Sequence, residues 1–140
     1  MPLSARLLAV VNALPLRPGL RVLEIGGAPG AAAREVAHRV GPTGHVLVLD
    51  RSRAGIRLTE QNCESLVDAG VLSTLCAPVE DFALGPDVEP FDIAFACRVG
   101  ALDGRHPRLY RAAVANITRA LKPGGTLYLD TGNPVARIEL

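Results

Sequence analysis

The chain has 140 residues, 49% of them hydrophobic and 21% charged, with a formal net charge of +1. That length is one domain's worth, and the composition is that of a globular protein. The near-zero charge excludes a broad basic field drawing the chain to nucleic acid or anionic membrane, and no stretch approaches the roughly 20 apolar residues of a membrane span.

The first sixteen residues, MPLSARLLAVVNALPL, are apolar but broken by Arg6, Asn12 and Pro15. They lack the basic start and clear cleavage site of a leader, so residues 4–14 are expected to form an amphipathic helix on the core, with Ser4 as N-cap. RVLEIG, residues 21–26, is a short apolar run ending in glycine, the pattern of a strand buried on both faces. Residues 30–40 follow as a helix closed by Gly41 and Pro42. HVLVLD, residues 45–50, is a second buried strand. Ser52 can cap a helix running to about Ala69, with Gly70 as its stop. VLSTLCA (71–77) and FDIAFAC (91–97) are the third and fourth strands, and residues 107–121 a further helix with Pro107 in its first turn. LKPGG is a stop and turn, and TLYLD (126–130) is the fifth strand.

Strand and helix alternate with connections long enough for crossovers. The expected fold is therefore α/β, a parallel sheet with helices on both faces. No repeat or linker divides the chain, so residues 1–140 read as one domain. Cys63, Cys76 and Cys97 are odd in number and widely spaced, with no C-x-x-C. Each sits within an apolar stretch, and they read as reduced, buried thiols of a cytoplasmic protein rather than a disulfide frame or a zinc site.

The end of the first strand raises a chemical question. Glu24 stands inside an apolar run, and the run stops at Gly26, Gly27, Ala28, Pro29 and Gly30. In open α/β sheets a ligand lies beyond the carboxyl ends of the strands. Missing Cβ atoms let it approach the backbone, and the next helix presents free N–H groups there. Asp50 ends the second strand, where an acid can accept from both hydroxyls of a ribose. A dinucleotide loop of the form G-x-G-x-x-G would need glycine where Ala28 stands, and no G-K-[ST] marks a P-loop.

E-I-G-G-A-P-G resembles motif I of the class I S-adenosylmethionine-dependent methyltransferases. HVLVLDRS resembles their second motif, FDIAFACRVGAL their fourth strand and its exit, and LKPGGTLYL their fifth strand with its approach. The four occur in family order over roughly residues 20–130. The resemblance implies a Rossmann-like, doubly wound, mostly parallel sheet in order 3-2-1-4-5. It implies S-adenosylmethionine as cofactor and methyl transfer as activity. A non-catalytic module binding an adenosyl ligand is the alternative, and a nucleotide or dinucleotide binder a third reading.

On that resemblance Glu24 and the Gly26 backbone meet the methionine ammonium, directly or through water. Gly27, Ala28 and Gly30 let the cofactor pass close to the chain, and Asp50 takes the ribose diol. Val79, Glu80 and Asp81 border the adenine, through backbone N–H groups or a carboxylate. Each has a plainer reading. Glu24 can tie down loop N–H groups, Gly26 and Gly30 can serve only the turn and packing, Asp50 can act as a cap before Ser52, and Glu80 and Asp81 can be solvated loop acids.

The acceptor leaves no signature. C-R-V-G stands where the N-P-P-Y of amino-methylating relatives would, and Lys122 is the only lysine, so the Lys-Asp-Lys-Glu set of ribose 2′-O-methyltransferases is absent. His106 has a reference pKa suited to a general base, about 6.5, but GRHPR reads more readily as an exposed turn. Arg98, Arg105, Arg108 and Arg111 gather near it, to receive an anion or as a solvated face. No residue is assigned as catalytic; methyl transfer needs little beyond alignment. After the fifth strand only TGNPVARIEL remains, enough for one short strand but not for the family's usual final pair. An uncovered edge seeks a partner, so a homodimer with contacts through residues 126–140 is expected, unless VARIEL covers the edge within its own subunit.

Overall fold

The structure is a computed structural model and describes residues 2–140. Its centre is a six-stranded sheet. In chain order the elements are α1 (Ala5–Ala13), β1 (Arg21–Ile25), α2 (Ala31–Val40), β2 (His45–Asp50), α3 (Arg53–Asn62), α4 (Glu64–Asp68), β3 (Leu72–Cys76), β4 (Phe91–Ala96), α5 (Tyr110–Ala120), β5 (Leu121–Leu129) and β6 (Ala136–Glu139). Short 3-10 turns at Val79–Asp81 and Pro107–Leu109 complete them. The strands lie in order β3-β2-β1-β4-β5-β6, parallel except for β6, which runs antiparallel to β5. The expected order 3-2-1-4-5 is thus present, with one strand added.

Alternate residues of the central strands feed two cores. Val22, Val46, Val48, Ile93 and Phe95 face α1 and α2, while Leu23, Ile25, Leu47, Leu49, Ala94 and Leu127 face α5 and the turn at Val79–Asp81. Burial on both faces explains why these strands read as continuous apolar runs rather than alternating ones. Phe95 is fully buried. Phe95→Ala is expected to cost about 3–5 kcal/mol from lost transfer energy and the cavity left behind, measured as a lower free energy of urea unfolding.

Three expectations are corrected. The helix expected from Ser52 to about Ala69 breaks at Cys63, which ends α3 and begins α4. No glycine or proline causes this. The Cys63 side chain is buried, and its Sγ reaches the Gly30 carbonyl at 3.7 Å, so packing against the start of α2 turns the chain. LKPGG is not a separate turn. β5 begins at Leu121, opposite Phe91, and the chain bulges before rejoining β4 at Thr126 opposite Ile93. Lys122 holds that region to Asp92 at 2.8 Å.

The third correction concerns the edge. Ala136–Glu139 pairs with Thr126–Leu129 inside the same subunit, so β5 is not an exposed edge and the stated cause of a homodimer is gone. The new edge is only four residues long and carries the charged pair Arg137–Glu139, features that blunt edge-to-edge pairing. Among the described residues no helix is long and apolar enough to cross a membrane.

Candidate active site

The carboxyl ends of β1, β2 and β4 meet at the glycine loop. Gly26 sits at φ +69°, a conformation that favours glycine, and its N–H donates to the Leu49 carbonyl at 2.7 Å. This ties the end of β1 to β2. A Cβ at Gly26 would stand 2.9 Å from Val99 of the segment after β4. Gly27 has a different reason. A Cβ there would lie 2.7 Å from the carboxyl carbon of Glu24 and 2.8 Å from its Oε1. The space a side chain would fill is taken by the acid.

Glu24 points to the same face as Val22, between Val48 and Phe95 of the neighbouring strands. It is 3% exposed, and its Oε1 is buried with no hydrogen-bond partner. Burial, and secondarily the charge of Asp50, pushes its pKa up to about 8. The carboxyl is therefore neutral at pH 7 with nothing bound. An orphaned buried acid is costly and uncommon. It is suited to a cationic group with N–H donors, which would satisfy the oxygen and favour ionisation. The carboxyl borders a cavity of about 240 Å³ shared with Arg6, Gly26, Gly27, Ala28, Cys97 and Arg98, among others. Burial, then the charges of Glu24 and Asp130, pushes the Cys97 thiol up to about 12, so it remains protonated and is no nucleophile.

Asp50 ends β2 on the other side of the loop. Its Oδ2 accepts from the Ala28 N–H at 3.1 Å and its Oδ1 from the Ser52 N–H at 2.9 Å. The capping role is thus present in the structure. Each oxygen retains a second lone pair. Asp50 also lines a larger cavity of about 330 Å³, with Gly26, Val79 and Glu80 on its walls and Arg98, Val99 and His106 facing them. Asn116 of α5 donates to the Val79 carbonyl at 3.0 Å and fixes that turn.

The site residues expected from the sequence divide accordingly. Glu24, Gly26, Gly27 and Ala28 gather at the smaller cavity, and Gly26, Asp50, Val79 and Glu80 at the larger. Asp81 is exposed and lies outside both linings. Gly30 also lies outside them. Its φ is +101°, and a Cβ would meet Cys63 Sγ at 3.0 Å and Thr59 Cγ2 at 3.1 Å, so it serves the turn into α2 and the packing of α3. His106 is exposed, with its ring packed on Gly100 at the mouth of the larger cavity. Three residues passed over in the sequence matter here. Arg6 and Cys97 line the smaller cavity, and Asp130, at the end of β5, accepts from Arg6 Nη1 and the Arg98 N–H, both at 3.1 Å. A charge inside the apolar α1 pattern was the available signal for Arg6. Asp130 closes the apolar run of β5, and nothing local marked Cys97.

The orphaned carboxyl, the side-chain-free loop above it and the strand-end acid together fit a ligand with an ammonium group and a ribose. Known proteins agree on the frame. A family model described as a methyltransferase domain matches residues 22–125. The ubiquinone/menaquinone biosynthesis C-methyltransferase UbiE of Bordetella parapertussis (strain 12822 / ATCC BAA-587 / NCTC 13253) is 32% identical over 123 residues, covering 87% of this chain and 44% of that protein. The chain thus spans less than half the length of that curated relative. Among solved structures, a protein-L-isoaspartate O-methyltransferase superposes with a TM-score of 0.71 at 22% identity, over 95% of this chain and 40% of the other. An S-adenosylmethionine-dependent methyltransferase from Thiobacillus denitrificans, solved with S-adenosyl-L-homocysteine, does so with 0.68 at 19%, over 91% and 48%. The sequence motifs, the strand order and the family match converge, and the chain belongs to the methyltransferase domain family, with the class I, Rossmann-like architecture.

Proposed function

We propose that residues 1–140 form one unit that binds S-adenosylmethionine across the carboxyl ends of β1, β2 and β3 and transfers its methyl group to an acceptor. The observation that carries this reading is the buried, unpartnered Oε1 of Glu24 beneath Gly27. When bound, the sulfonium supplies an electrophilic methyl group. Glu24 accepts from the ammonium of the amino-acid end, and the proton its carboxyl loses is released to solvent. Asp50 uses its remaining lone pairs for the ribose hydroxyls. Val79 and Glu80 border the base. Arg98, Val99 and His106 wall the side left for the acceptor.

The adenosyl-binding module stays as a second reading beside the methyl transfer that the UbiE relative's name suggests, since Glu24, Gly27 and Asp50 are read toward the cofactor and no residue is assigned to the transfer itself. Transfer of labelled methyl from S-adenosylmethionine to a panel holding a hydroxyl, an amine, a thiol and an electron-rich ring carbon separates the two. The ring carbon is included because that relative is named a C-methyltransferase. Labelled product in any arm supports the enzyme. Cofactor binding without product in every arm supports the module. A cytoplasmic location rests on the three free thiols, of which Cys63 is buried as expected, Cys97 is half-buried and Cys76 is exposed.

Asp50→Ala is expected to weaken cofactor binding by about 10–100-fold, from losing about 1.5–3 kcal/mol of charged hydrogen bonding. Its backbone contacts to Ala28 and Ser52 are lost too, so a stability loss near 1 kcal/mol accompanies it. An unchanged dissociation constant beside that stability loss assigns Asp50 to loop capping alone.

A further inference from the structure

The wall opposite Asp50 and Glu80 differs in charge. The charged and titratable residues lining the larger cavity from the β4–α5 segment are Arg98, Arg105 and His106, with no acid among them. Arg105 is already engaged: its Nε reaches Asp103 at 3.0 Å and its Nη2 donates to the Arg98 carbonyl at 2.8 Å. Arg98 is not. Its guanidinium makes no hydrogen bond or ion pair among the described residues.

An exposed arginine without a partner is ordinary, but this one's backbone is not. Arg98 has φ +56° and is the only non-glycine residue with positive φ among the described residues. That left-handed conformation normally selects glycine or asparagine. It is held from both sides, by the Arg98 N–H donating to Asp130 at 3.1 Å and by Arg105 donating to the Arg98 carbonyl. The chain thus spends two charged side chains on fixing the backbone of a third. Strain kept in place this way marks a positioned side chain. Arg98 is also common to both cavities, so it stands between the Glu24 end and the Asp50 end. The smaller cavity has a cation of its own in Arg6.

We propose that Arg98 is an acceptor-binding residue that recognises an oxyanion, a carboxylate or phosphate, on the molecule to be methylated. Arg105 and Asp130 are positioning residues that hold it in place. This rests on the methyl-transfer reading, since it takes the neighbouring space for the cofactor. A planar guanidinium fork matches either oxyanion through paired hydrogen bonds.

The test is calorimetric and begins with S-adenosylhomocysteine alone. The protein saturated with it is then titrated with benzoate, phenyl phosphate and uncharged benzamide. At least one oxyanion binds, about tenfold or more tightly than benzamide, and more weakly as salt is raised. Which of the two binds distinguishes a carboxylate from a phosphate acceptor. Arg98→Gln reduces oxyanion affinity about tenfold, Arg98→Lys restores part of it, and S-adenosylhomocysteine affinity changes by less than about threefold. Arg98→Gly loses oxyanion binding while melting at or above the wild-type temperature, because glycine relieves the left-handed strain. Equal binding of benzoate, phenyl phosphate and benzamide overturns the proposal, as does oxyanion affinity unaffected in Arg98→Gln. A fall in S-adenosylhomocysteine affinity matching the fall for oxyanions also overturns it, because Arg98 then serves the cofactor's carboxylate. If S-adenosylhomocysteine does not bind, the methyl-transfer reading fails by itself, and the same titrations of the ligand-free protein still decide whether Arg98 holds an oxyanion.

Discussion

Replacing Glu24 with glutamine is expected to stabilise the ligand-free protein at pH 8 by about 2–3 kcal/mol while weakening cofactor binding at least tenfold. The carboxyl titrates at 4.5 when exposed and at about 8 in the fold. Below pH 4.5 it is neutral in both states and contributes nothing to the pH dependence. As pH rises from there to about 8, the unfolded chain releases this proton and the folded one keeps it. Ionisation then favours the unfolded state, so stability falls through that window and levels off above it. The gap corresponds to an effect on the order of 4–5 kcal/mol. Glutamine cannot ionise and removes it, less the cost of burying an amide. Urea unfolding at pH 5, 6.5 and 8 measures this. The wild-type curve should descend relative to that of Glu24→Gln and cross it, the variant being the less stable of the two at the acid end by the cost of its buried amide. Parallel curves would mean that Glu24 ionises in the fold as it does in water. A stabilising replacement at a strand end is what a site kept for a ligand predicts.

Gly27→Ala should abolish measurable cofactor binding, a loss of at least 100-fold or about 2.7 kcal/mol. The added Cβ would lie 2.7 Å from Glu24 Cδ and 2.9 Å from Val48 Cγ1. Neither neighbour can yield easily, because Val48 is fully buried and Glu24 is 3% exposed. The loop must move outward, at about 1–3 kcal/mol of overpacking, and carries the Ala28 contact to Asp50 with it. Gly104→Ala is the control. Gly104 has φ +93° but nothing within 4 Å of its Cβ position, so it should lose some stability and no affinity. Calorimetry on both variants decides the point; wild-type affinity in Gly27→Ala removes the loop from the cofactor site.

Local signals carried much of the fold. β2 spans His45–Asp50 as read from its apolar run, and Ser4 and Ser52 cap their helices through Leu7 N–H at 3.2 Å and Gly55 N–H at 3.0 Å. What escaped was set by tertiary contacts. Cys63 leaves its helix because Gly30 offers it a buried seat, and β5 starts early because Leu121 pairs with Phe91 across a bulge. The tail was legible as a strand, but its side of the sheet was not, since VARIEL suits pairing within or between subunits equally. At the site, Glu24 and Asp50 were visible as acids closing apolar runs. Asp130 closes β5 in the same way, but its partners Arg6 and Arg98 come from segments 124 and 32 residues away. Gly30 and Gly27 looked alike in sequence and are divided only by what each missing Cβ would strike.

The central claim is that Glu24 lies protonated beneath the glycine loop until a cationic adenosyl ligand takes it up. Calorimetric titration of the wild-type protein with S-adenosylmethionine at pH 7, repeated in two buffers of different ionisation enthalpy, tests it most directly. The account predicts saturable one-to-one binding with a net release of close to one proton, lost in Glu24→Gln. Absence of binding, or tight binding of NAD with no response to S-adenosylmethionine, would contradict it.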